Sequence, residues 1–219
     1  MMRVPNDPTR TGSEPPDWAA DLVLSCSEIT ALATKAARGA GLSWGEAEEA
    51  GWACGCLARA GLPGPAMILR VLERGAVPSV CPLRRGILLM DHAGLPEGPG
   101  ARPLVLREVV EPLVMLPFLA RVAGQLGVGV VLRLGAREIR VRGLEPVPEF
   151  GHLRPLCGQD AGEVVIELAD RGEGTAVGVF DGRMSRKVWQ ALDALALRTT
   201  VPASEVSRQR AGAASSDND

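Results

Sequence analysis

Two four-residue signatures, Ser25-Cys26-Ser27-Glu28 and Ser43-Trp44-Gly45-Glu46, each stand immediately before a run of apolar residues at helical spacing. In such a capping box the Ser oxygen accepts from an amide of the first helical turn. The Glu carboxylate reaches back to the Ser amide, so the sequence itself marks where a helix starts. After the first box, Ile29, Leu32, Ala33, Ala36 and Ala37 fall at i, i+3, i+4, i+7 and i+8, and Gly39 and Gly41 end the run. After the second, Ala47, Ala50, Gly51, Cys54, Leu57 and Ala58 continue to Gly61. Pro63-Gly64-Pro65 breaks the chain, Pro65 suits a first helical position, and Ala66, Leu69 and Leu72 form a third face ending at Gly75. Small residues on these faces let helices approach closely. The spacing therefore predicts an N-terminal helical layer over 25–75.

The pattern then changes. Gly86 to Asp91 reads as a short buried strand, and the Gly- and Pro-rich residues 92–103 read as a loop. A helix is predicted from about Pro112 to Gln125, with Pro117 either kinking it or marking its true start. Val128–Leu134 and Arg137–Arg142 read as a hairpin joined at Gly135-Ala136, with Ile139 and Val141 on one face and Arg140 and Arg142 on the other. Residues 143–161 read as an irregular connection. Glu163–Ala169 alternates, with Val164, Ile166 and Leu168 inward and Glu163 and Glu167 outward. A turn at Asp170–Gly174 and a strand at Ala176–Phe180 follow. A closing helix spans Ser185–Leu197, with Val188, Trp189, Leu192, Leu195 and Ala196 as its apolar face. Helices and hairpins segregated along the chain predict an α+β fold: a helical layer, a mostly antiparallel sheet of hairpins, and a C-terminal helix. The expected organisation is a disordered tail at 1–24, one domain at 25–200 (helical part 25–75, sheet part 84–200) and a mobile tail at 204–219.

Composition narrows the function classes. The chain has 219 residues, 46% of them hydrophobic and 23% charged, with a net charge of −2. This excludes a wholly disordered chain and gives no general basic surface for nucleic acid. The helical segment also carries Glu46, Glu48 and Glu49 together, which suits no groove-reading helix. Five cysteines, Cys26, Cys54, Cys56, Cys81 and Cys157, lack disulfide-framework spacing and read as free thiols. Cys54 and Cys56, two apart on a helix, point about 200° apart and do not chelate one metal. The apolar stretch Val109–Val122 is interrupted by Glu111, Pro112, Pro117 and Arg121, so no membrane span is expected. No apolar signal segment follows the start, and the expected location is cytoplasmic.

Lys35-Ala36-Ala37-Arg38-Gly39-Ala40-Gly41-Leu42-Ser43-Trp44-Gly45, followed by Ala47-Glu48-Glu49-Ala50-Gly51, resembles the opening signature of an uncharacterised bacterial domain-of-unknown-function family. Thr200-Val201-Pro202-Ala203-Ser204-Glu205, followed by Ser207-Arg208, resembles its closing signature. That resemblance implies no activity. The N-terminal helices, the expected strand ending at Asp91, a helix, and Gly127-Val128-Gly129-Val130-Val131 are similar to the malate/L-lactate dehydrogenase-like family of NAD(P)-dependent enzymes. In that family such a strand leads into a Ser-Asn-His-Phe-Gly motif carrying the catalytic histidine. Here it runs into Leu132-Arg133-Leu134-Gly135, without a histidine.

The candidate ligand site joins two features. Asp91-His92 precedes a Gly/Pro-rich loop, where a carboxylate can fix an imidazole tautomer for acid–base work. Arg133, Arg140 and Arg142 can share the outer hairpin face, and guanidiniums bind carboxylates and phosphates. Set against this, a turn residue and a surface imidazole explain Asp91 and His92, and a solvated sheet face explains the arginines. Trp44 and Trp189 are expected in packing positions. There is no dinucleotide-binding glycine motif, Walker sequence, zinc-binding His/Cys spacing or nucleophile elbow, so no cofactor and no metal are expected. The sequence thus reads as a cytosolic accessory or interaction protein, with an unknown protein partner or a second copy of itself. The alternative is an enzyme or enzyme-derived binder of a small anionic ligand. Neither nucleic acid nor membrane is expected as a partner.

Overall fold

Both serine boxes start helices. In the computed structural model, which describes residues 22–75, 80–96, 98, 102–144, 147–170 and 177–199, α1 spans Cys26–Gly39 and α2 spans Trp44–Arg59. Ser25 Oγ accepts from the Glu28 amide at 3.3 Å, while the Ser25 amide donates to Glu28 Oε2 at 2.8 Å. Ser43 and Glu46 repeat this at 3.3 and 2.8 Å.

The small residues bring the helices together. A Cβ at Gly51 would run into Thr34 Oγ1 and the Thr30 carbonyl, so α1 and α2 touch backbone to side chain. Gly64 opens α3 (Gly64–Glu73) against the Cys54 carbonyl of α2. The closing helix α6 (Arg186–Leu197) meets α1 where a Cβ at Gly39 would collide with the Leu195 carbonyl. Helix α1 is therefore packed by both α2 and α6, and α3 also lies against α6. Ala33, Ala36, Ala50, Cys54, Leu57 and Ile68 are fully buried in this layer.

A four-stranded antiparallel sheet forms the second part, in the order β2-β5-β3-β4: β2 Leu104–Val109, β5 Ala161–Ala169, β3 Gly129–Leu134, β4 Arg137–Val141. Leu104, Ile166, Leu132 and Ile139 stand side by side across it and form part of the inner face. Helix α5 (Leu116–Leu126) packs on β3 and β4. The outer face aligns Val105, Val165, Arg133 and Glu138. Two short strands, β1 Leu22–Val23 and β6 Arg183–Met184, pair antiparallel beside the helices. The architecture is α+β.

Pro117 lies in the first turn of α5, with a 3-10 turn Pro112–Met115 ahead of it, so it marks the start of the α-helix and does not kink it. The hairpin turns at Gly135-Ala136 as expected, with Ile139 and Val141 buried. Val164 and Ile166 of β5 are buried.

Three expectations are corrected. Gly86–Asp91 is not a strand but the end of α4, Pro82–Asp91. A short apolar run is compatible with either period, and the deciding features are Pro82 in the first turn and the helical burial of Leu83, Gly86 and Leu89. Gly86 seats the Phe118 ring, which a side chain there would strike. Residues 177–180 form no strand; Val177 makes only an isolated bridge to Pro148. Trp44 is 68% exposed, at the start of α2, with the Arg38 guanidinium 4.5 Å over its ring. Strand β2 was not anticipated at all. Of the disordered tail expected at 1–24, residues 22–23 are instead paired as β1 and 1–21 lie outside the described residues, as do the tail at 204–219 and the turn beyond Asp170.

Candidate functional site

As the chain leaves β2 it must turn sharply into the 3-10 segment, and the residue at that corner is Glu111, before Pro112. Its backbone is left-handed, with φ 46° and ψ 59°. Among the described residues the non-glycine positions with positive φ are Glu108 and Glu111. Such a conformation costs an L-residue about 1–3 kcal/mol and persists only where its surroundings enforce it. Glu111 is also fully buried. A charged residue placed in a strained conformation at zero exposure is the most unusual local feature of the structure.

One carboxylate oxygen is held. The Gly158 amide donates to Glu111 Oε2 at 2.7 Å, and Arg70 Nε of α3 stands 3.5 Å from the same oxygen. The other oxygen, Oε1, is buried without a hydrogen-bond partner, and so is Arg70 Nε, which faces Oε2 without forming an aligned bond. The Arg70 fork is committed elsewhere: Nη2 donates to Asp160 Oδ1 at 2.8 Å, and Arg74 Nη2 reaches Asp160 Oδ2 at 3.2 Å. The Glu111 amide also points to Asp160 Oδ1, at 3.4 Å.

Arg70, Glu111 and Gly158 are among the residues lining a cavity of about 350 Å³ between α3, α6 and the turn at 157–158. Pro63, Ala66, Met67 and Leu69 form one wall, and Val188 and Ala191 of α6 form another. Arg70, Glu73, Glu111, Cys157 and Lys187 supply its polar and titratable groups. Pockets of this size, mostly apolar with a few placed polar groups, are typical small-molecule sites.

Burial pushes the Glu111 carboxyl up to about 7, with the nearby Asp160 charge adding to it and the Gly158 amide and Arg70 opposing. Near neutrality it therefore both donates and accepts. Burial also pushes the Cys157 thiol up to about 12, reinforced by Glu111, so it stays protonated and a poor nucleophile. Partial burial disfavours the Asp160 carboxylate, but Arg70, the Glu111 amide and Arg74 outweigh it and hold that carboxyl below its ordinary range.

The residues anticipated from sequence are placed differently. Asp91 is the last residue of α4 and His92 its C-cap. Neither lines the Glu111 cavity, and no side-chain hydrogen bond or ion pair joins either to another described residue. Arg133 and Arg140 do share the outer sheet face, where both pair with Glu138, at 3.5 and 2.8 Å. Arg133 also binds Glu167 at 2.6 Å. Arg142 lies one residue past β4, half-buried, with Nη1 buried and unpartnered. Arg133 and Arg137 border an open cleft of about 440 Å³ that also includes Asp160 and Glu163. Asp160, which borders that cleft, also accepts from Arg70 and lies 3.4 Å from the Glu111 amide.

Glu111 itself was visible in the sequence only as an interruption of the apolar run Val109–Val122. A carboxylate between Val110 and a proline inside a core-like stretch was the available signal. Its partners, Arg70 and Gly158, are remote in the chain, and no spacing pointed to them.

A family model described as "Protein of unknown function (DUF3726)" matches residues 24–94. The match covers α1 to α4 and includes Arg70, while Glu111, Cys157 and Lys187 lie beyond it. No curated protein and no solved structure matches the chain. The dehydrogenase-like resemblance thus gains no support, and the C-terminal signature lies outside the matched span. No helix among the described residues is long and apolar enough to cross a membrane. The chain is similar to a family of unknown function through its helical layer, and the Glu111 cavity joins that layer to elements outside the match.

Proposed function

We propose that this chain is a small-molecule-binding accessory protein whose ligand occupies the cavity between α3, α6 and the 157–158 turn. The observation that carries this reading is the cavity of about 350 Å³ itself, apolar along α3 and α6, with Arg70, Glu73 and Lys187 in its lining and the strained, fully buried Glu111 packed within its wall. A binding role is favoured over covalent catalysis because the neighbouring thiol, Cys157, is held protonated. Free cysteines at all five positions suit a reducing cytosol. The test is a thermal-shift screen of small uncharged and charged compounds on wild type and on Ala191→Trp, which fills the cavity. Stabilisation of wild type that Ala191→Trp abolishes supports the reading, and compounds that stabilise both proteins equally refute it.

A second reading places an anionic ligand at the arginine hairpin, with Asp91, His92, Arg133, Arg140 and Arg142 as its contacts. It is favoured by the cleft that Arg133 and Arg137 border. Loss of phosphate- or carboxylate-induced stabilisation in Arg133→Ala, with Ala191→Trp unaffected, would support this location over the cavity. Association with a second copy or another protein fits the exposed apolar residues Val177, Val179 and Phe180.

A further inference from the structure

We infer that the free edge of β4 pairs with the same edge of a second copy of this chain, joining the two sheets antiparallel about Ile139 through Glu138 and Arg140. The inference names an interaction surface and stands apart from the ligand cavity.

Strand β4 closes the sheet on one side. In the order β2-β5-β3-β4 it pairs with β3 alone among the described residues. The two-residue turn Gly135-Ala136 makes the flanking pair, Leu134 and Arg137, a hydrogen-bonded one. Such pairs alternate with unbonded ones along an antiparallel ladder, so Ile139 and Val141 also turn their amides and carbonyls toward β3. Glu138 and Arg140 turn theirs outward. Among the described residues no group bonds to those outward amides and carbonyls.

An open sheet edge is a template for another strand, and chains guard it with prolines, bulges, short strands or charge. The opposite edge, β2, is interrupted at Glu108, which is left-handed (φ 52°) and drops out of the pairing with β5. Strand β4 has no such break: residues 137–141 all pair with β3, and none is a proline.

The charges of β4 do not guard it against its own copy. A row of one sign would repel a second copy, but the outward residues are one acid and one base. A two-fold axis allows several registers. Glu138 opposite Glu138, or Arg140 opposite Arg140, sets like charges directly across the joint, which is destabilising. With Ile139 on the axis, Glu138 meets Arg140 of the second copy and Arg140 meets its Glu138. Each of these pairs then exchanges both backbone bonds and matches opposite charges. The acid–base alternation is thus self-complementary, and a second copy is the occupant it selects. The two side chains bind each other along the strand at 2.8 Å, yet remain 35% and 62% exposed, so they are free to re-pair across the joint. The strand is short, which puts the contact in the small, weak class whose association depends on concentration.

Sedimentation equilibrium of the full chain at about 5–500 µM reads this association. Wild type should move from one chain toward two as concentration rises. Glu138→Arg and Arg140→Glu each set like charges at both pairs, and each alone should raise the dissociation constant at least about tenfold. Mixed in equal amounts, the two variants restore opposite charges at both pairs, and the mixture should associate within about threefold of wild type. Circular dichroism shows whether each variant is folded. Should one of them not fold, the other is compared with the double variant Glu138→Arg with Arg140→Glu, which restores the match by itself. Wild type that stays at one chain throughout overturns the inference. So do single variants that associate as tightly as wild type, because association then runs through another face, and so does a mixture, or a double variant, no tighter than the single variants. None of these outcomes bears on the cavity, which Ala191→Trp tests separately.

Discussion

Replacing Glu111 with Gln should flatten part of the pH dependence of stability. The side chain keeps its shape and loses its charge. In the folded chain burial raises the Glu111 carboxyl from 4.5 to about 7. Between those values the folded state holds a proton that the unfolded state has released, so stability falls as pH rises through the window. The contribution is absent below 4.5 and complete above about 7. A shift of this size corresponds to about 3 kcal/mol in full, of which roughly 2.5 kcal/mol develops between about pH 5 and about pH 8. Urea unfolding of wild type and Glu111→Gln across that range measures it. The free-energy difference between the two proteins should move by about 2–3 kcal/mol, with wild type relatively more stable at the acid end. Taking the difference cancels groups that titrate alike in both. Parallel stability curves would show that Glu111 titrates normally, and with them the buried, unpartnered environment ascribed to it would be wrong.

Three further outcomes are expected. Gly51→Ala should destabilise the chain by about 1–3 kcal/mol by overpacking α1 against α2, whereas Gly45→Ala, where a Cβ meets nothing within 4 Å, should not; equal denaturation midpoints for the two would contradict the helix contact. Cys157 should react with a disulfide reagent at about pH 8 roughly a thousandfold more slowly than an ordinary free thiol, and labelling at the free-thiol rate, mapped by mass spectrometry, would show that its burial is overstated. Light scattering at micromolar concentration should give a mass above one chain, consistent with a mean hydropathy of +0.10 and the exposure of Val177 and Val179; a monomer mass would remove the self-association reading.

What the sequence made legible was local. The Ser25 and Ser43 boxes, Pro117 in the first turn of α5 and the Gly135 hairpin turn are short-range devices, and each works in the structure as its chemistry requires. The run Gly86–Met90 misled because four consecutive apolar residues satisfy either period; Pro82 upstream and the helical burial of Leu83, Gly86 and Leu89 decide for helix, with Phe118 of α5 packed on Gly86. Strand β2 escaped notice because Arg107 and Glu108 break its apolar pattern, and it is defined by its partner β5. The candidate site was hidden for the same reason. Glu111 acquires meaning from Arg70, Gly158 and Asp160, which only the tertiary fold brings to it. Arg133 and Arg140 share a face as the hairpin pattern predicted, whereas Arg142 falls past β4, and Glu138 and Glu167, which pair with the first two, were not assigned to them in advance.

The most direct measurement is a crystal structure of the full chain soaked with a compound that stabilises wild type but not Ala191→Trp in the thermal-shift screen. The account predicts the compound between Ala66 of α3 and Ala191 of α6, in the cavity that Arg70, Glu73 and Lys187 also line. Electron density for the probe at the Arg133–Arg137 cleft, or a cavity closed by its own side chains with Glu111 paired within the protein, would contradict it.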